Sequence, residues 1–145
     1  MFSLSYPAIL KPDPKGQGYT VNFPGLPEAL TDGKNLAEAL KEAADCLGVA
    51  LASRMVLKEA IPAPCLPRRG QPLVSVPLYL APKVALYIAM REQGISNSEL
   101  ARRLRCTETV VRRMLDPKHN SKPEGLQAAL EAVGKRLLVA VDDAA

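Results

Sequence analysis

The most constraining stretch of the sequence is ISNSELARRLRCTETVVRRML, residues 95–115, which has the pattern of two short helices joined by a tight turn. Leu100 and Ala101 fall on the inward side of the first predicted helix, and Ala101 is small where the second helix would cross it. Ser96 followed by Glu99 forms a capping box at the start of that helix. The pattern predicts a helix-turn-helix, whose second helix fits the major groove of double-stranded DNA.

The second predicted helix separates into an apolar face and a polar face. We expect Arg112 to make a bidentate contact with guanine, Thr109 and Val110 to meet a thymine methyl group, and Glu108 to accept from cytosine. Phosphate contacts set the register of a protein on DNA and do not specify sequence. The predicted DNA-binding residues are Glu108, Thr109, Val110, Arg112 and Arg113 on the outward face, Thr107 at the helix N-cap, and Asn97, Arg102 and Lys118 at phosphates.

Arg105 departs from the usual pattern of this motif, because glycine normally stands where the first helix turns into the second. That position takes a left-handed backbone conformation, which costs a residue with a side chain about 1 kcal/mol. We therefore expect the turn to differ locally from its usual form.

Basic residues are concentrated in this part of the chain. Residues 96–122 contain seven Lys or Arg and three Asp or Glu, and the whole chain carries a net charge of +4. The excess positive charge therefore lies where DNA phosphates would be contacted. The alternative is that these arginines form only the solvated face of a helical bundle.

Residues 1–80 predict a separate domain that contains both strands and a helix. Alternating apolar residues predict two strands of a hairpin, and Pro7 should place the first strand at a sheet edge or break its ladder. The predicted elements follow the order β-β-β-α-β, at Phe2–Leu10, Tyr19–Phe23, Ala29–Thr31, Leu36 to about Met55, and Leu73–Leu78.

A proline-rich loop at residues 58–72 and a boundary near residue 80 separate this domain from an all-α domain at residues 81–145. Helices over Pro82–Gln93 and Pro123–Val133 should pack around the helix-turn-helix. The apolar run Leu137–Val141 predicts a short terminal strand, which pairs with its copy across a two-fold axis or packs back on its own domain. A homodimer or a dimer of dimers would read a palindromic site. The fold class expected from the sequence is α+β.

The segment YTVNFPGLPEALTDGKNLAEAL, residues 19–40, resembles the HicB antitoxin family, above all in the phrase F-P-G-L-P at Phe23–Pro27. The similarity continues through the proline-rich loop and the helix-turn-helix, so that it covers essentially the whole chain. The resemblance implies a partial ribonuclease-H-like domain that binds and neutralises a HicA-like, mRNA-cleaving toxin, and a chain that represses its own operon. Candidate toxin contacts are Tyr6, Tyr19, Asn22, Glu28 and Asp32.

Two other functions remain open from the sequence. An active nuclease would need several carboxylates that converge on metal ions, and only Asp13, Glu28 and Asp32 stand near the predicted strands, all outside their interiors. We therefore expect no enzyme activity and no catalytic residue. A stand-alone transcriptional repressor whose N-terminal domain senses a small ligand is the second alternative, and it predicts an apolar pocket with converging polar groups.

The three cysteines, Cys46, Cys65 and Cys106, form no CxxC pair and predict neither a disulfide framework nor a metal site. No cofactor is expected. The sequence contains no apolar run of about 18 residues and no signal-peptide pattern at its beginning. We expect a cytoplasmic protein with no membrane contact.

Overall fold

The computed structural model describes residues 2–143, in which five strands and five helices are found. The strands precede or flank one long helix, and four shorter helices follow. In chain order the elements are β1 (Ser5–Pro7), β2 (Ile9–Pro12), β3 (Tyr19–Phe23), β4 (Leu26–Gly33), α1 (Leu36–Val56), β5 (Leu73–Ser75), α2 (Ala81–Gln93), α3 (Asn97–Leu104), α4 (Glu108–Leu115) and α5 (Pro123–Ala132). The order of strands and helices agrees with the mixed fold expected from the sequence.

The first predicted strand is bent into two halves that belong to different sheets. β1 pairs antiparallel with β5, whereas β2 joins a three-stranded antiparallel sheet of order β2-β3-β4. The break falls at Ala8, whose amide donates to the carbonyl oxygen of Pro72 at 2.9 Å. Because Pro7 has no amide hydrogen, it cannot extend a ladder on both sides. The expected interruption at Pro7 is confirmed.

The first predicted strand begins at Ser5 and ends at Pro12 in the structure, and two further strands also differ in length from their predicted bounds. β4 begins at Leu26 rather than Ala29, since Gly25 has a φ of 80° and turns the chain sharply after β3. Pro27 and Glu28 interrupt the apolar alternation and hide this start in the sequence. β5 ends at Ser75, because the chain turns before α2 with the amide of Leu80 donating to the carbonyl oxygen of Pro77 at 2.9 Å.

Helix α1 packs across the three-stranded sheet and begins where it was predicted. The side chain of Asn35 accepts a hydrogen bond from the Glu38 amide at 2.9 Å, which supplies the N-cap. Gly33 allows the helix to approach the end of β4, since a Cβ atom there would overlap the backbone nitrogen of Ala39. The long helix is thereby fixed at its first turn against the sheet.

The buried apolar residues form two clusters, and α2 contributes to both. Val84, Tyr87 and Ile88 lie in the cluster formed by the sheets and α1, while Leu86 and Met90 lie in the cluster formed by the later helices. The predicted domain boundary near residue 80 therefore stands at the beginning of a helix that is shared between the two cores. The boundary itself stays a prediction.

The beginning of the proline-rich segment is held by side chains from three directions. The hydroxyl of Tyr6 donates to the Pro62 carbonyl at 2.8 Å, and that of Tyr87 donates to the Glu59 carbonyl at 2.6 Å. Arg54 donates to the Ala60 carbonyl at 2.8 Å. This segment contains no helix or strand between α1 and β5, yet its backbone is anchored to β1, α1 and α2.

The predicted terminal strand at Leu137–Val141 is absent from the described chain, where these residues form no regular element. A strand needs a neighbouring strand for its backbone hydrogen bonds, and none of the five strands lies beside this run. Leu138, Val139 and Val141 are consequently exposed. No helix within residues 2–143 is long and apolar enough to span a membrane.

Candidate nucleic-acid interface

Helices α3 and α4 occupy the stretch that carries the predicted DNA contacts. The Ser96 hydroxyl accepts from the Glu99 amide at 3.1 Å, so the predicted N-cap of α3 is confirmed. Leu100 and Val111 are fully buried, and Ala101 is 4% exposed. Their burial in one cluster fixes α3 and α4 against each other and turns the remaining faces of both helices toward solvent.

The turn between these helices takes the left-handed conformation that glycine usually supplies. Arg105 has φ 56° and ψ 45°, and the amide of Cys106 donates to the Ala101 carbonyl at 3.0 Å. The expectation that this turn differs locally is wrong. The strain of about 1 kcal/mol at Arg105 is offset by that hydrogen bond and by the packing of Leu100 and Val111.

The outward face of α4 is exposed along its length, at Glu108, Thr109, Val110, Arg112 and Arg113. The Arg112 guanidinium donates to the Thr109 hydroxyl at 3.1 Å, which holds it over the first half of the helix. Thr107 occupies the N-cap position with an extended backbone, but its side chain makes no capping hydrogen bond. The predicted N-cap position of Thr107 is therefore confirmed, the side-chain hydrogen bond that such a cap usually forms is not present, and the Thr107 hydroxyl is available to other partners.

The α3 arginines share one carboxylate. Arg102 donates to both Glu99 oxygens at 2.9 and 2.6 Å, and Arg103 donates to one of them at 3.0 Å. Hydrogen bonds from Arg102 and Arg103 lower the pKa of Glu99 to about 2. Arg103 also donates to the Ala132 carbonyl at 3.0 Å and so links α3 to α5. Arg102 is the freer of the two, with 73% of its side chain exposed.

The remaining two predicted phosphate contacts lie at the beginning of α3 and just after the end of α4. Asn97 is half-buried at the first position of α3, and Lys118 is exposed in the connection that follows α4. The amide of Lys118 donates to the Asp116 carboxylate at 2.9 Å, which forms a local turn. Both assignments stay predictions.

Two of the five candidate toxin contacts are used by the fold itself. Tyr6 is 2% exposed, and its hydroxyl is bonded to the Pro62 carbonyl. Burial raises the pKa of Tyr6 to about 12. Glu28 forms a bidentate pair with Arg54, at 2.7 and 3.0 Å, and the Arg54 hydrogen bond lowers the pKa of Glu28. Tyr6 therefore cannot contribute a contact surface, and Glu28 is committed to holding β4 to α1.

The other three candidates lie on two neighbouring surfaces. Asn22 is opposite both Ile9 and Leu30 in the strand register, so these three residues share the sheet face turned away from α1, which we call the open sheet face. Leu30 on this face is 65% exposed. Asp32 follows Leu30 by two residues in β4 and lies on the same face. Asp32 and Tyr19 also line an open groove of about 720 Å³ whose other walls include several charged side chains. That groove differs from the apolar pocket that a small-ligand sensor would need.

Comparison with known proteins identifies relatives of this chain. Residues 5–85 match the family model described as HicB_like antitoxin of bacterial toxin-antitoxin system. Antitoxin HicB of Escherichia coli is 37% identical over 134 residues, which cover 92% of this chain and 96% of that protein. Antitoxin HicB 1 of Photorhabdus laumondii is 35% identical over 140 residues, which cover 97% and 88%. This chain belongs to the HicB-like antitoxin family.

The family model ends inside α2, whereas the alignments with HicB relatives continue across nearly the whole chain. The relatives therefore resemble this HicB-like chain over the helices α3 to α5 as well as over the strands and α1. A match of this extent agrees with the resemblance over essentially the whole chain, which is most specific in the F-P-G-L-P phrase at Phe23–Pro27.

One residue of this HicB-like chain escaped the sequence analysis although it stands beside the candidate interface. Lys83, in the first turn of α2, is 1% exposed and donates to the Arg113 and Asp116 carbonyls and to the Ser121 hydroxyl. The one feature of the local sequence that could have pointed to Lys83 is its position as a lysine within an otherwise apolar run, PKVALYIAM. The acceptors are at least 30 residues away along the chain, so the local sequence does not reveal them.

Proposed function

We propose that this protein is an antitoxin that neutralises a HicA-like, RNA-cleaving toxin and represses its own operon by binding operator DNA. The first half of the proposal is supported by the family relationship and by relatives named Antitoxin HicB. In this proposal the strands β1 to β5 and α1 form a partial ribonuclease-H-like fold, which we call the strand domain, and α3 and α4 are a helix-turn-helix. The protein acts in the cytoplasm, where both mRNA and operator are found.

The observation that carries the DNA-binding half is the outward face of α4, on which Arg112 is held beside Thr109 and has no carboxylate partner within residues 2–143. A guanidinium on an exposed helix face can donate twice to the O6 and N7 atoms of guanine. Thr109 and Val110 are then placed for a thymine methyl group. Arg102, Lys118 and Asn97 contact phosphates at either side.

Toxin neutralisation needs no chemistry from this chain, only a surface that covers the RNA-binding face of the toxin. We assign that surface to the open sheet face and the adjoining groove, with Asn22, Tyr19 and Asp32 as contacts. Leu30 adds an exposed apolar side chain to the same face. Large exposed aliphatic side chains bordered by polar groups are typical of protein interfaces.

Dimerisation completes the DNA-binding proposal, because a palindromic operator is read by two copies about one helical turn apart. The exposed residues Leu138, Val139 and Val141 supply the terminal strand once a second copy offers a partner strand. A chain truncated after Arg136 should then have a lower mass in light scattering than the full chain. An unchanged mass would contradict this role of the tail.

The test of the whole proposal is co-expression with the small protein that is encoded beside this gene. The neighbour should arrest growth, and the full chain should relieve the arrest and co-purify with it. A reporter fused to the DNA upstream of the gene pair should be repressed by the same chain. A neighbour that neither arrests growth nor binds would contradict the antitoxin half and favour a ligand-sensing repressor.

Two variants should separate the two activities. Leu30→Asp changes the open sheet face and should abolish relief of growth arrest while repression persists; Leu78→Asp, at a residue that is 84% exposed elsewhere, is the matched control. Replacement of both Arg112 and Arg113 by Ala should abolish repression while relief persists. Loss of both activities in either variant would mean that the surfaces are not independent.

A further inference from the structure

Lys83 is the one charged side chain in the buried core of the described residues, with 1% of its surface exposed. A buried ammonium group is tolerated only where each of its N–H groups finds an acceptor. The Lys83 Nζ atom has three such acceptors, the carbonyl oxygens of Arg113 at 3.0 Å and Asp116 at 2.7 Å and the hydroxyl of Ser121 at 2.9 Å. Burial lowers the pKa of Lys83, and the nearby Asp116 carboxylate opposes that shift.

Two of these acceptors belong to the end of α4. The last carbonyl groups of a helix lack partners within the helix and carry partial negative charge. Arg113 lies in the last turn of α4, and Asp116 is the residue at its C-cap. Ser121 belongs to the connection between α4 and α5. A single side chain from α2 thus holds the end of α4 and the loop that follows it.

This attachment differs in kind from the apolar packing of α4. Val111, Met114 and Leu115 bury the inward face of the helix, but apolar contacts are non-directional and restrict rotation and sliding only through shape. Three hydrogen bonds to fixed backbone and hydroxyl oxygens define a position along the helix axis as well as around it. Arg112 immediately precedes the capped Arg113 carbonyl and shares its helical turn.

We propose that Lys83 is a positioning residue for DNA recognition, which fixes α4 at the depth and rotation that bring Arg112 and Thr109 to base edges. This inference rests on the proposed operator binding. It assigns sequence discrimination partly to a side chain that cannot touch DNA itself. Lys83 lies on the helix shared by both cores, so this contact fixes the position of α4 relative to both cores.

The experiment uses the full chain and the variants Lys83→Met and Lys83→Arg. Methionine keeps an unbranched apolar chain of similar shape, one heavy atom shorter and without donors, whereas arginine retains charged donors with different geometry. Binding is measured to a duplex that covers the DNA upstream of the gene pair and to a scrambled duplex of the same composition. Lys83→Met should lose on the order of tenfold affinity for the upstream duplex and keep its affinity for the scrambled one, and Lys83→Arg should recover part of that loss.

Hydrogen exchange of the α4 amides supplies a readout without DNA. Residues 112–116 should exchange faster in Lys83→Met than in the wild type, while the α1 amides should remain unchanged. The matched control is Lys118→Met, which removes a lysine that is exposed beside the same helix. That control should weaken binding to both duplexes equally and leave exchange in α4 unchanged.

Ser121→Ala keeps the test decisive if Lys83→Met fails to fold, because it removes only one of the three acceptors. It should lower discrimination between the two duplexes in the same direction and to a smaller extent. A folded Lys83→Met or Ser121→Ala protein with wild-type discrimination would overturn the role of Lys83 alone. A wild-type chain that does not distinguish the duplexes would overturn the proposed operator binding and this inference with it.

Discussion

The outward face of α4 and the polar residues of the strand domain were predicted by the same kind of reasoning, with different results. On α4 the helical period separates inward from outward positions, and all five predicted face residues are exposed. In the strand domain, Tyr6 and Glu28 are instead bonded to Pro62 and Arg54 within the fold. A polar residue in a small mixed domain can serve the domain itself, so polarity alone is a poor guide to a binding surface there.

The largest expected effect tests whether the strand domain and the later helices unfold as separate units. Leu47→Ala and Leu100→Ala each remove a fully buried side chain from one of the two clusters and should each lower the free energy of unfolding by about 2 to 5 kcal/mol. Because α2 belongs to both clusters, both variants should shift one common transition in calorimetry. Two transitions, with each variant moving only one of them, would show two independent units.

The next largest effect tests the face of α4 directly. Arg112→Ala should weaken binding to the upstream DNA by about 1 to 3 kcal/mol and relax discrimination at one base pair. The loss is expected because guanine then lacks both donors. Fluorescence titration with single-base variants of the duplex measures this loss of affinity. Equal losses on upstream and scrambled DNA would show that Arg112 does not read a base.

Lys118→Ala and Arg102→Ala are the matched comparison for that variant, since both residues are assigned to phosphates. Lys118→Ala should weaken all sequences alike and reduce the slope of affinity against salt by about one. Arg102→Ala should reduce it by less, because Glu99 already neutralises this guanidinium in the free protein. Equal slopes for the two variants would mean that the Glu99 pair does not persist in solution.

The turn between α3 and α4 offers a smaller effect with the opposite sign. Arg105→Gly should raise the free energy of unfolding by up to about 1 kcal/mol, because glycine adopts φ near 56° without the side-chain strain. Chemical denaturation measures the gain, and Arg105→Ala controls for the lost charge while retaining the strain. A gain that appears equally in both variants would point to charge rather than conformation.

The smallest effect belongs to the strand domain. Glu28→Gln should lower the free energy of unfolding at neutral pH by at most about 1 kcal/mol, since the carboxylate is 41% exposed. Arg54 lowers the pKa of Glu28 in the folded protein, so this contribution is present above the ordinary value of about 4.3 and disappears as the pH falls through the lower folded value. Denaturation of both proteins across the acid range should therefore show their difference shrinking as the pH falls.

The sequence was sufficient where a local rule determines the structure. Asn35 and Ser96 stand at helix starts because their side chains accept amides three residues later, and both caps are present. Pro7 interrupts its strand because it lacks a donor, whatever the rest of the fold does. These features depend on near neighbours in the chain and could be read without the tertiary structure.

The features that could not be predicted depend on distant residues. Arg105 takes the conformation of a glycine because the packing of α3 on α4 outweighs a strain that the local sequence would avoid. Lys83 looks like an ordinary exposed lysine until residues at least 30 positions later supply its acceptors. Thr107 stands at the predicted N-cap without the expected hydrogen bond, since position does not determine the rotamer of its hydroxyl.

The shared helix α2 also limits how such proteins can exchange parts. Recombination that joins the strand domain of one relative to the later helices of another would disturb packing if the junction fell within Ala81–Gln93. Neighbouring positions in that helix contribute to different cores. A crossover inside this helix gives a hybrid whose two interiors each combine side chains from different parents. A new combination of the two halves should therefore take the whole of α2 from one parent. The core supplied by the other parent should then need compensating changes where it packs against α2.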